Sequence, residues 1–244
     1  MNSPKYIITF ILIMTTIVAV SLTGLREATK DRAAMNEDIF NKRAILSAVE
    51  AYLPGGKKVG DLSDQEVAAL FDEMEQPVLD MQGNIIEGER AESIDMGRER
   101  KKPEAERRLP LYIYEYEGQR FYILSVRGNG LWDEIWGNIA LRSDLNTIAG
   151  AAFDHKGETP GLGAEIKDNP GFARQFEGKQ IFSDGQLVSV NVRKGGARDA
   201  NHDVDGISGA TVTADGVTEM LYRGIKYYQP FLESLKQQQG LLLN

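Results

Sequence analysis

The chain contains no cysteine and only two histidines among its 244 residues. Without cysteine it can form no disulfide, no thiolate metal site, no iron–sulfur ligation and no cysteine nucleophile. His155 and His202 have no neighbouring ligand residues in the sequence, so we predict loop positions for both and no metal site. Basic residues are also outnumbered, 28 against 36 acidic residues for a net charge of −8, which argues against a nucleic-acid partner.

Charge is absent from one long segment near the amino terminus. Residues 6–25, "YIITFILIMTTIVAVSLTGL", contain no Asp, Glu, Lys or Arg. A helix needs about 20 apolar residues to cross a membrane, whereas the apolar region of a cleavable signal peptide is about 7–15 residues long. We therefore predict a retained membrane anchor over residues 1–25, with a signal peptide as the alternative. Basic residues are more numerous just after the span than before it, which mildly opposes an outside carboxyl terminus.

The rest of the chain is predicted to form one soluble domain, with residues 26–110 as a helical connector and the first part of that domain. Apolar residues at helical spacing predict a helix from residue 27 to about residue 53. Ser63 and Glu66 form a capping-box signature at the start of a second helix. The apolar residues between 217 and 235 predict a long amphipathic closing helix.

Alternating apolar residues predict the strands. We expect hairpins within residues 78–86, 111–126 and 180–192, and two further strands within residues 135–154. No parallel βαβ rhythm is visible. The predicted fold class is α+β, a single N-terminal transmembrane helix followed by one soluble domain in which helices pack an antiparallel sheet.

A dense mixed-charge stretch, "GRERKKPEAERR", occupies residues 97–108. Such composition is typical of a solvated loop or a short exposed helix, which is our prediction. A docking surface for a partner subunit is the alternative.

A small, polar and Gly-rich stretch, "DGISGATVTADGV", covers residues 205–217. Gly209 and Ala210 would let a bulky group approach the backbone closely, and the helix that follows favours a phosphate at its N-terminus. The alternative is a loop in which Thr211 or Thr213 caps the helix. Because Asp205 is a weak base at neutral pH, a reaction at Thr211 would be catalysed by another enzyme.

Two more Gly-rich stretches precede it. "GETPGLGAEI", residues 157–166, places three glycines and a proline around Glu158 and Thr159, and we interpret it as a backbone cradle for a flat ligand. "GNGLWDEIWG", residues 128–137, presents Trp132 beside glycines. The alternative for both is ordinary turn chemistry with a core tryptophan.

Together, in this order and at this spacing, the three motifs resemble those of the NqrC family, the C subunit of the sodium-translocating NADH:quinone reductase (Nqr). "DGISGAT" matches the flavinylation motif D-x-x-[S/T]-G-A-T. The resemblance covers essentially the whole chain and is least distinctive in the first hundred residues. One alternative is the G subunit of an Rnf electron-transport complex, where "ETPGLG" more often continues with Asp and "GLW" is not expected. A membrane-anchored FMN-binding module outside a respiratory complex is the other.

The resemblance implies a covalent cofactor in residues 111–244. In that family FMN is joined through its phosphate, as an ester, to the last threonine of the motif, here Thr211. A separate FMN transferase with FAD as donor makes the link, and Asp205 belongs to its recognition motif. The residues expected near the FMN are Trp132, Glu158, Thr159, Gly161, Leu162, Gly163, Lys194, Ser208, Gly209 and Ala210.

The resemblance also implies the role of the protein. It would be an electron-carrying subunit, with no catalytic residue of its own, that relays electrons from NADH toward ubiquinone through FMN while the complex moves sodium outward. Its partners would be the other members of a complex of six subunits in the bacterial inner membrane. The soluble domain would face the periplasm.

Overall fold

The computed structural model describes residues 3–240 and divides into two compact units, Met1–Asn41 and Lys42–Asn244. The first unit consists of most of helix α1 (Pro4–Leu46), and the large apolar side chains of this part of the helix are exposed. The helix is long and apolar enough to cross a membrane, as the composition of residues 6–25 predicts. It continues to Leu46 because neither glycine nor proline interrupts residues 25–46.

The second unit is built on a six-stranded antiparallel sheet in the order β2-β1-β3-β4-β5-β6. Tyr116 and Gln119 pair across the turn between β3 and β4, and Glu117 and Gly118 both have positive φ, at 49° and 75°, as a two-residue type I′ hairpin requires. The strands are β1 (Val78–Leu79), β2 (Ile85–Ile86), β3 (Leu109–Tyr116), β4 (Gln119–Asn129), β5 (Glu134–Leu141) and β6 (Ile148–His155).

Short elements and one long helix complete this unit. A hairpin is formed by β7 (Phe182–Ser183) and β8 (Gln186–Leu187), as predicted, whereas β9 (Asn191–Arg193) and β10 (Asp203–Asp205) pair in parallel. The predicted capping box at Ser63 is present. The helices are α2 (Asp64–Asp72), α3 (Met96–Glu99), α4 (Glu165–Asp168), α5 (Pro170–Arg174) and α6 (Thr211–Gln238), and 3-10 turns cover Ser47–Tyr52, Pro54–Gly56, Val59–Asp61, Ala91–Ser93 and Glu104–Glu106.

Helix α6 packs closely on β4. A Cβ atom at Gly224 would lie 2.4 Å from Cγ1 of Val126, and one at Gly128 would lie 2.6 Å from Cβ of Met220. Further along the helix, the Tyr228 hydroxyl is hydrogen-bonded to a backbone carbonyl of β3 at 2.7 Å. These contacts fix the helix on the sheet and so fix the position of its first turn.

The charged stretch at residues 97–108 contains the end of the short helix α3 and one 3-10 turn and is mostly exposed or half-buried, as the prediction of a solvated loop or short exposed helix requires, with one exception. Glu99 is buried and forms ion pairs with Lys102 at 2.7 Å and Arg108 at 3.2 Å. The local pairing of charges therefore orders the segment against the domain.

The compact units divide between Asn41 and Lys42. The domain boundaries after residues 25 and 110 were predicted for the anchor and for the flavin region, and they stay predictions.

Candidate functional site

Thr211 is the half-buried first residue of α6, and no side chain among residues 3–240 caps this end of the helix. The residue before it, Ala210, holds the N-cap position with φ −110° and ψ 43°, so the interpretation of a threonine cap is wrong. Gly209 has a φ of 84°, and a Cβ atom there would lie 2.7 Å from the carbonyl oxygen of Gly161. Glycine is thus required at 209, where the motif touches the "TPGLG" loop.

Thr213 has a different environment two residues further on. Its side chain is fully buried, and its hydroxyl donates to Oε2 of Glu158 at 2.8 Å. The carbonyl oxygen of Leu162 lies 3.2 Å from the same hydroxyl. Thr213 therefore links the first turn of α6 to the "ETPGLG" loop and is closed to modification.

The buried carboxylate of Glu158 joins all three motifs. Besides the Thr213 hydroxyl, it accepts backbone N–H groups from Trp132 at 2.9 Å, Leu131 at 3.2 Å and Asp133 at 3.3 Å. Burial opposes ionisation, but these hydrogen bonds outweigh it and hold the pKa of Glu158 below its ordinary value. Glu158 thus supports the turn that carries Trp132.

The loop between Thr159 and Gly163 is rigid, and its donors are already used. The N–H groups of Gly161 and Gly163 donate to the Glu165 carboxylate. These hydrogen bonds hold the pKa of Glu165 below its usual range, and the bond from Gly161 is the largest cause. The amides of residues 162 and 164 donate to the Thr159 carbonyl. The loop is therefore held by its own hydrogen bonds, and residues 161–164 have no N–H group left for a ligand, while the cradle itself stays a prediction.

Four exposed apolar side chains belong to the three segments that Glu158 and Thr213 join. Two of the four donate backbone N–H groups to Glu158, the third accepts the Thr213 hydroxyl through its carbonyl oxygen, and the fourth lies in the first turn of α6. The four residues therefore belong to one region. The interpretation of Trp132 as a core residue is wrong, since its side chain is 65% exposed. We call the four residues the apolar rim: Leu131 (37% exposed), Trp132, Leu162 (40%) and Val212 (54%).

Lys194 lies beside the first residues of the motif, because its backbone adjoins that of Gly206. The parallel pairing of β9 and β10 places Asp205 opposite Arg193, and the Gly206 N–H donates to the Arg193 carbonyl at 2.8 Å. The Lys194 side chain is exposed, and the Asp205 carboxylate accepts the N–H of Ala197 at 2.7 Å. Ser208, also exposed, precedes Gly209.

Comparison with known proteins agrees with this geometry. Residues 130–226 match the FMN-binding domain family, a range that includes Trp132, Glu158 and Thr211. The chain is 32% identical over 251 residues to the C subunit of the Na(+)-translocating NADH-quinone reductase of Pseudomonas aeruginosa, covering 93% of this chain and 94% of that protein. The chain belongs to the NqrC family, the C subunits of Na(+)-translocating NADH-quinone reductases. The family predicted from the motifs is thereby confirmed.

Other NqrC proteins give the same result. The protein of Vibrio vulnificus is 31% identical over 245 residues, covering 92% of this chain and 91% of its own length. The crystal structure of the C subunit from Parabacteroides distasonis matches with a TM-score of 0.72 and 36% identity over 83% of this chain and 96% of that one. The crystal structure of NqrC from Shewanella oneidensis supports the fold. It matches with a TM-score of 0.69 and 24% identity, over 83% of this chain and 99% of that one.

Two residues of the NqrC site have roles that the motifs alone do not indicate. Thr213 is spaced four residues from Val217 and eight from Leu221, both buried, so helical periodicity would place its hydroxyl on the buried face, where it needs a partner. Glu165 follows the glycines whose N–H groups it accepts. An acid placed just after a Gly-rich loop is the signal that could have identified it.

Proposed function

We propose that this protein is the electron-carrying C subunit of a Na(+)-translocating NADH-quinone reductase and that it carries FMN as a phosphoester on Thr211. The observation that carries the proposal is the position of Thr211. It begins a 28-residue helix without a side-chain cap, beside a rigid loop and the apolar rim.

Helix α6 suits the phosphate of this ester. The first amide N–H groups of a helix have no intrahelical partner, and the helix dipole favours an anion at this end. Thr211 is half-buried at that position. A phosphate on Thr211 would therefore lie beside the free N–H groups of the first turn of α6. The N–H groups of residues 161–163 in the neighbouring "ETPGLG" loop would not contribute, because they already donate to other groups of the chain.

The remaining motif residues would position the flavin ring. When bound, FMN supplies reversible acceptance and donation of electrons, and the protein supplies orientation and electrostatics. Trp132 and Leu162 offer apolar contact area outside the core. Glu158, whose oxygens are occupied by the chain itself, holds the Trp132 turn and the loop in place and so acts as a positioning residue.

Maturation requires a second enzyme. Asp205, the acidic group of the motif, accepts a backbone N–H, and within residues 3–240 the Thr211 hydroxyl has no hydrogen bond to a side chain that could act as its base. We infer that an FMN transferase using FAD makes the ester and recognises the exposed turn that contains Asp205 and Ser208. The protein then joins the other members of a complex of six subunits in the inner membrane, with its soluble domain in the periplasm.

Flavin fluorescence of the denatured protein tests the proposal. The wild-type chain, co-expressed with an FMN transferase, should give a fluorescent band in a denaturing gel, and Thr211→Ala should give none. Thr213→Ser is the matched control and should keep the band, because Thr213 is buried in its bond to Glu158. A fluorescent Thr211→Ala band would move the attachment to another residue.

A further inference from the structure

A cavity of about 160 Å³ opens between residues 96–109, β4 and α6. None of the residues assigned to the flavin lines it. Its floor is apolar and consists of the buried side chains of Leu109, Val126, Met220 and Tyr228. Its rim contains four arginines, Arg100, Arg107, Arg127 and Arg223, in a protein whose net charge is −8.

Three of these arginines share two carboxylates. Arg100 and Arg127 both pair with Glu134, at 3.3 and 3.1 Å. Arg223 pairs with Glu219 at 3.0 Å. The charge of Glu134 is therefore divided between two guanidinium groups.

The fourth arginine, Arg107, has only neutral acceptors. It donates to the carbonyl oxygens of Lys102 at 3.2 Å and Arg100 at 3.1 Å, and to the Tyr227 hydroxyl at 3.1 Å. Within residues 3–240 no carboxylate lies in ion-pairing distance of Arg107. Glu99 also belongs to the cavity wall, but Lys102 and Arg108 already neutralise it.

The arginine-lined rim of the cavity thus carries more positive than negative charge. Four guanidinium groups meet two carboxylates, and the neutral hydrogen bonds of Arg107 hold its guanidinium in place without cancelling its charge. Guanidinium groups bind carboxylates and phosphates more strongly than neutral acceptors, through short charge-assisted hydrogen bonds. An arginine held in position in this way is pre-organised for an oxyanion.

We propose that this cavity binds a small organic anion, a carboxylate or phosphate on an apolar body about the size of a six-membered ring. The head group would lie between Arg107 and Arg223 at the rim. The body would lie on the floor formed by Val126 and Met220. An apolar cavity of about 150 Å³ is known to accept benzene, so the volume suits such a body.

Fluorine NMR of 4-fluorobenzoate tests this site in the full-length protein in detergent. The ligand signal should broaden saturably on addition of protein, and benzoate and phenyl phosphate should compete for the site. The neutral analogue 4-fluorobenzyl alcohol should bind at least tenfold more weakly, because it leaves the charge of Arg107 uncompensated. Equal binding of the alcohol, or no saturable broadening by the acid, would overturn the proposal.

Substitutions identify the arginines. Arg107→Gln should weaken 4-fluorobenzoate about tenfold or more, whereas Arg120→Gln should have no effect, since Arg120 is exposed at the far end of β4 and pairs with Glu115 and Glu75. If circular dichroism shows that Arg107→Gln does not fold, Arg223→Gln decides. Its side chain is 61% exposed, and its loss should weaken binding about threefold. Wild-type affinity in Arg223→Gln and in a folded Arg107→Gln would refute the site.

Discussion

Trp132 combines high exposure with a position in the site. Its side chain is 65% exposed, so its packing contributes little to the free energy of unfolding. We expect Trp132→Leu to change that free energy by no more than about 0.5 kcal/mol and to keep the flavin on Thr211. The loss of an aromatic contact should nevertheless shift the flavin absorption bands and slow quinone reduction by the assembled complex, measured with NADH in membranes.

Trp136 is the matched control for that experiment. It lies in β5, is half-buried, and has the Arg127 guanidinium 5.0 Å above its ring. Trp136→Leu should lower the melting temperature and leave the flavin spectrum unchanged. An unchanged spectrum and turnover in Trp132→Leu would show that Trp132 has no contact with the flavin.

Glu158 should contribute to stability in a pH-dependent way. Its pKa is lowered in the folded state, so its ionisation stabilises the fold above the ordinary pKa of 4.5, and this stabilisation is lost as the pH falls through the folded-state pKa. Glu158→Gln replaces one accepting oxygen with an NH2 group, which is itself a donor and cannot accept from the backbone N–H groups. The substitution should lower the free energy of unfolding by about 1.5–3 kcal/mol at neutral pH. In urea unfolding, the difference from wild type should shrink as the pH falls below 4.5. If the difference in the free energy of unfolding stays constant with pH, the ionisation of Glu158 does not contribute to it, and the loss comes from altered packing and hydrogen-bond geometry.

The residues of the site could be predicted from the sequence more readily than their partners. Thr211 begins a helix and Gly209 needs its glycine, as the motif indicates. The role of Glu158 was not predictable, because its backbone donors lie in a turn more than 20 residues earlier and are brought to it by the pairing of β5 with β6.

At the scale of elements, the contact of α6 with β4 determines where Thr211 lies. Gly224→Ala would improve helix propensity by about 1 kcal/mol, but its Cβ would lie 2.4 and 2.6 Å from the side chain of Val126, which is buried and branched at Cβ. The backbones must then separate, at a cost of typically about 1–3 kcal/mol. We expect net destabilisation of about 1 kcal/mol by urea unfolding, together with lower flavin occupancy.

Gly60→Ala is the control for Gly224→Ala. Gly60 has open space around its Cβ position and no positive φ, so its substitution should leave both stability and flavin occupancy near wild type. Wild-type stability in Gly224→Ala would show that α6 can shift without loss of packing.

The hairpins were predictable because their turn residues carry local signals, such as Asp184-Gly185, both with positive φ. The exact N-cap of α6 was not predictable, since the sequence offers Thr211 or Thr213 as a cap whereas Ala210 holds that position. The parallel pair β9–β10 was also not predictable, because three-residue strands leave no period to detect. Tertiary contacts decide both.

At the scale of the whole molecule, one apolar helix and one folded unit carry separate functions. The span in α1 has the composition of a membrane anchor, and all the flavin motifs lie within Lys42–Asn244. The charge count beside the span mildly opposes an outside location for this unit, whereas the proposal above, which rests on the resemblance to the family, puts it in the periplasm. The orientation therefore requires a direct measurement.

Accessibility of single introduced cysteines supplies that measurement, since the chain has no cysteine of its own. Ala105 is exposed in the turn Glu104–Glu106. Ala105→Cys should react with a membrane-impermeant maleimide in intact spheroplasts, because a charged reagent cannot cross the bilayer to a cytoplasmic thiol. Ser3→Cys, on the other side of the apolar span, should react only after lysis. The reverse pattern, with Ser3→Cys labelled in intact cells and Ala105→Cys only after lysis, would place the flavin domain in the cytoplasm and agree with the charge count.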